Sequence, residues 1–93
     1  MKNLKMINFI NDNFDNLVTV VNEKNMLVFR SLSDCKSYIQ VDYFESDKTY
    51  SLIYNLYDEY DCISNRIDYL NLMQLKNNIL ELKNSVFRLY DIY

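Results

Sequence analysis

The chain has 93 residues, 49% of them apolar and 25% charged, a balance that predicts one folded domain over residues 1–93 and excludes an intrinsically disordered segment. It contains no His and no Gly, so the commonest general base, a glycine-rich phosphate loop and a nucleophile elbow are all missing, and two Cys without His do not make a usual zinc set. At a net charge of −3 no basic patch of the kind that neutralises phosphates stands out, which predicts no direct contact with nucleic acid.

Ala, Pro and Trp are absent as well. Gly, Ala and Pro share GC-rich codons, so their joint loss points to an AT-biased genome, such as that of a low-GC bacterium, its phages or plasmids, or a large DNA virus. The positions of Asn and Lys therefore carry more information than their abundance.

Leu4, Ile7, Ile10 and Phe14 recur at helical spacing, with Met6 and Phe9 widening the face, so residues 2–14 read as a short amphipathic helix. It should end near Asn13–Asn16, where Asn can take the left-handed conformation that Gly usually supplies. Leu17–Val21 and Met26–Leu32 are apolar runs joined by Asn22, Glu23, Lys24 and Asn25, the pattern of a hairpin. Residues 37–45 alternate Ile39, Val41 and Tyr43 against Tyr38, Gln40 and Asp42, which predicts a third antiparallel strand; a helix capped at Ser33 is the rival reading.

Beyond the caps offered by Ser46 and Asp47, the residues Ile53, Leu56, Tyr60, Ile63, Ile67 and Leu70 follow a 3,4 spacing, and the prediction here is helix. Tyr50, Leu52, Tyr54 and Leu56 also alternate as a strand would, but that series is shorter. A second 3,4 stripe, Leu72, Leu75, Ile79, Leu82, Val86, Leu89 and Tyr93, is out of phase with the first. The phase jump predicts either a break at Tyr69–Asn71, with Asn71 as a left-handed pivot between two antiparallel helices, or a continuous helix whose second stripe is buried by another chain; Asp61–Asn65 is the alternative place for a break. The expected fold is α+β: an N-terminal helix, a three-stranded antiparallel meander, and long or paired C-terminal helices packed on one sheet face.

Residues 37–68 hold seven acids against Lys48 and Arg66, a local net charge of −5. On a helix Asp58, Asp61, Asn65 and Asp68 would form one outward stripe, and flanking Tyr rings add stiff contact area with polar tips. The predicted partner surface is therefore Asp58, Glu59, Asp61, Asp68, Tyr54 and Tyr57. A plain solvated helix face with tyrosines turned to the core explains the same pattern, and Tyr60 falls on the buried stripe. The partner that an acidic, Tyr-rich surface suits is a protein, such as a basic nucleic-acid-binding protein.

These features together predict a small non-catalytic binding protein, of the kind encoded by a virus or mobile element to inhibit a host nucleic-acid-handling or defence protein, as anti-CRISPR and anti-restriction proteins do. The alternative is a homo-oligomeric interaction or regulatory protein built on a seam of Leu72, Leu75, Ile79, Leu82, Val86 and Leu89, so that monomer and homodimer are both open. A metal-dependent hydrolase using Asp58, Glu59 and Asp61 ranks third. Cys35 and Cys62 read as incidental small residues. No cofactor is expected, and with no apolar run long enough for a membrane span and no signal peptide the expected location is cytoplasmic.

Overall fold

The computed structural model describes residues 1–32, 36–57 and 62–83, which run as α1 (Asn3–Asn13), β1 (Leu17–Glu23), β2 (Met26–Ser31), β3 (Tyr38–Phe44), β4 (Thr49–Tyr57), β5 (Cys62–Leu70) and α2 (Leu72–Leu82). The five strands form one antiparallel sheet in sequence order, each strand paired with its neighbour in the chain.

The helix α1 and the strands β1 to β3 lie where their spacing places them. Residues 48–70 do not: they form β4 and β5, so the expected three-stranded meander with long or paired C-terminal helices is incorrect, and the meander has five strands. The 3,4 series that suggested a helix is an accident of strand geometry. A spacing of four is also an even number, so Ile63 and Ile67 share a face on a strand as they would on a helix. The spacing of three from Ile67 to Leu70 comes from a β-bulge: Leu52 pairs with Ile67 and Tyr50 with Leu70, so Asp68 and Tyr69 together oppose Ser51. The shorter alternation was the informative one, since Leu52 and Leu56 are fully buried.

Cross-strand partners share a face, and the rows define the core. Leu27, Val41, Leu52 and Ile67 make one row, and Phe29, Ile39 and Tyr54 the next. Both helices cover this face. Met6 and Ile10 of α1, with Phe14 just after it, and Leu75, Ile79 and Leu82 of α2 join the strand residues in a single apolar cluster. Leu4, expected on the buried stripe of α1, points outward instead.

The termini of the helices also differ from expectation. Among the described residues no Asn is left-handed: α1 ends at an extended Phe14 whose N–H reaches the Ile10 carbonyl, and the positive-φ residues are Lys48 and Tyr69. The break near residue 71 is a strand-to-helix junction, not a helical hairpin. Asn71 caps α2 with its side chain accepting from the Gln74 N–H at 2.8 Å, while the Gln74 side chain accepts from the Asn71 N–H at 2.9 Å.

Three of the four described residues of the proposed oligomer seam are used inside the subunit. Leu75, Ile79 and Leu82 are buried against the sheet, Leu72 is half-exposed at the start of α2, and Val86 and Leu89 lie outside the described residues. Among the described residues no helix is long and apolar enough to cross a membrane.

Candidate functional site

The sheet face opposite the helices carries a different set of rows. Met26, Asp42 and Ser51 stand in register, with Asp68 across the bulge; Val28, Gln40, Ile53 and Arg66 follow; Arg30, Tyr38, Asn55 and Ser64 come next; and Tyr57 and Cys62 end the face. Polar groups on it bond to one another. Gln40 Nε2 donates to both carboxylate oxygens of Asp42, at 3.0 and 3.2 Å. Asn55 Oδ1 accepts from Cys62 Sγ at 3.2 Å and from Ser64 Oγ, and Asn55 Nδ2 donates to the Tyr57 hydroxyl at 3.0 Å. Ser37, buried just before β3, accepts from the Tyr57 N–H at 2.9 Å at the end of β4.

The bulge makes one corner of this face distinctive. Because two residues of β5 stand opposite Ser51, the Asp68 carboxylate is drawn over β4, where Ser51 Oγ donates to Oδ1 at 2.5 Å. Arg66 Nε donates to the same oxygen at 2.9 Å. The bond from Ser51 first, then that from Arg66, favours the ionised form and holds the Asp68 carboxyl below the usual Asp range. A lowered carboxyl stabilises the fold above its unfolded-state pKa, and this contribution is lost as pH falls through the folded value. An NMR titration of Asp68 should therefore give a midpoint below that of an ordinary Asp, and Ser51→Ala should raise it. An unchanged midpoint in that variant would remove Ser51 as the cause.

Tyr69 completes the corner. Its φ of 61° lies in the left-handed region, where a bulky side chain is rare, and its side chain is 78% exposed. The chain has no Gly for such a position, but it has thirteen Asn, the residue that takes this conformation most cheaply after Gly, and none stands here. With Phe44, Asp47, Thr49, Ser51, Arg66 and Asp68, Tyr69 lines a shallow groove of about 180 Å³. Its charges are two carboxylates against one guanidinium, with Asp42 in register with Ser51 on the neighbouring strand.

The residues predicted to form the partner surface are only partly brought together. The helical stripe of Asp58, Asp61, Asn65 and Asp68 does not exist, since Asn65 and Asp68 lie on a strand, three residues apart and on opposite faces. Tyr54 and Tyr57 are likewise divided: Tyr54 packs against the core beside Ile39, whereas Tyr57 lies on the open face. Asp58, Glu59 and Asp61 fall between β4 and β5, outside the described residues. Of the three that are described, Tyr54, Tyr57 and Asp68, only Asp68 lies in the corner groove. Its neighbours Ser51 and Arg66 were missed. The signal that could have found them was the odd spacing from Ile67 to Leu70 inside an otherwise alternating segment, the mark of a bulge.

Among the described residues no three His, Cys, Asp or Glu side chains gather as a metal site would require. No family model matches the chain, and no curated protein or solved structure matches it either.

Proposed function

We propose that this chain is a non-catalytic binding protein that engages a basic protein surface through the corner of its open sheet face. The observation that carries this reading is Tyr69, a large amphipathic side chain held outward by a costly backbone conformation next to an ionised, doubly hydrogen-bonded Asp68. Tyr supplies contact area at low conformational cost, and strain of this kind concentrates at binding sites. Charge selects the partner: Asp42, Asp47 and Asp68 gather at this end of the face, within a segment of net −5. A protein that handles nucleic acid presents the complementary surface, and an inhibitor that works by occupying such a surface fits the size and charge of the chain.

The test is retention of proteins from an extract of the source cell on the immobilised chain. A genuine partner should be held at low salt, released as ionic strength rises, and lost from a bait carrying Asp68→Lys with Tyr69→Gly. A partner held equally well by both baits would show that the contact lies elsewhere.

A further inference from the structure

The opposite face of the same sheet end holds a cleft of quite different character. The beginnings of both helices pass over the end of the core, and Met1, Lys2, Lys5 and Met6 from α1 and its lead-in, Leu72 and Lys76 from α2, and Tyr43 and Tyr50 from β3 and β4 enclose about 520 Å³. This is within the roughly 300–1,000 Å³ of small-molecule sites. The Tyr43 and Tyr50 rings lie 4.8 Å apart, tilted by 49°, and form one wall. Three of the chain's ten basic residues meet here with no carboxylate in the lining among the described residues, although the chain as a whole carries −3.

The placement of these lysines works against the fold. Lys2 is the N-cap of α1, Lys5 is its third residue, and neither helix has an acid in its first turn. A helix N-terminus bears partial positive charge, so cations there are destabilising and anions are favoured. The N-cap of α1 makes no side-chain capping bond. Neither Lys2 nor Lys5 has an ion pair among the described residues, and Lys76 lies with Nζ 5.2 Å from the Phe9 ring centre. Burial, and then the neighbouring Tyr43, push the Tyr50 hydroxyl above its ordinary value, which keeps it a neutral donor.

We propose that this cleft is a nucleotide site, in which Lys2, Lys5 and Lys76 hold the phosphates at the opening of α1 and the base lies against the tyrosine wall and the Met6 and Leu72 side chains. An anion satisfies the lysines and the helix end at once, and a planar ring uses the aromatic and apolar surface that a bare phosphate would leave wet. The concave form suits a small molecule, not an extended acidic peptide. The site lies on the helix-covered side of the sheet and does not depend on the partner corner.

The experiment is calorimetric titration of the chain with ADP, pyrophosphate and adenosine as separate probes, at low and high KCl. ADP should bind in the sub-millimolar range and weaken with salt, and pyrophosphate and adenosine should each bind about tenfold or more weakly. Lys5→Gln and Lys76→Gln should each weaken ADP by about tenfold. Lys5→Glu should abolish ADP binding yet raise Tm by about 2–6 °C, because it places an acid in the first turn of α1. No heat with ADP up to about 1 mM at low salt would overturn the proposal. So would pyrophosphate binding as tightly as ADP, which would leave no role for the tyrosine wall, or ADP binding indifferent to both lysine replacements.

Discussion

Ile79→Asp is expected to abolish the folded state instead of separating a dimer. Ile79 is fully buried where α2 meets the sheet, in the same cluster as Leu52, Leu56 and Leu75. The substitution removes a packed aliphatic side chain, worth about 2–5 kcal/mol on truncation alone, and adds a carboxylate with no partner. A domain of this length has a total stability of roughly 5–14 kcal/mol, so little or nothing remains. Circular dichroism and sedimentation should show an unfolded or aggregated chain. A folded monomer with native spectra would mean that α2 is not held by this face, and a folded monomer derived from a native dimer would restore the seam reading.

Tyr69→Gly is expected to do the reverse, raising stability while impairing binding. Holding a non-glycine residue in the left-handed region costs about 1–2 kcal/mol, and Gly removes that cost while returning part of it through a more flexible unfolded chain. A net gain of about 1 kcal/mol corresponds to a rise in Tm of about 4–8 °C for a domain of this size. Little burial is given up, since the side chain is mostly in solvent. Affinity for the partner should fall by roughly 30-fold, the loss of about 2 kcal/mol that marks a hot-spot tyrosine. Tyr69→Phe keeps the backbone cost and most of the contact area, so its Tm should stay near that of the wild type. A lower Tm for Tyr69→Gly would show that the surrounding contacts, not the backbone, determine what stands at this position.

The sequence was most legible where one physical rule acted alone. In α1, β2 and β3 the apolar period follows the element apart from the exposed Leu4, and β1 matches in extent although its register shifts between Thr19 and Val21. In residues 49–70 two rules competed. Ile63 and Ile67 satisfy both periods, and the bulge at Asp68 and Tyr69 supplied one of the steps of three that let the longer series read as a helix. Asn71 was recognised as a breakpoint but given the wrong conformation. Its partnership with Gln74 as a capping box was written plainly in the chain, yet a box presupposes that the helix begins there. The sites were less legible than the fold, because register assembles them. Ser51 meets Asp68 only once β4 and β5 are paired, and Lys76 meets Lys2 and Lys5 only once both helices lie on one face.

The pairing of every strand with its neighbour in the chain has a consequence for synthesis on the ribosome. As each strand emerges, the edge it needs has just been made, so the sheet can grow without waiting for any distant segment. The first element is in the opposite position. The apolar face of α1 is translated before every strand it covers, and Met6 and Ile10 have no complete surface to rest on until Leu27, Phe29, Ile39 and Val41 have followed. Until then the nascent chain carries an uncovered amphipathic helix, with Lys2 and Lys5 in its opening turn, ahead of the sheet that will cover it.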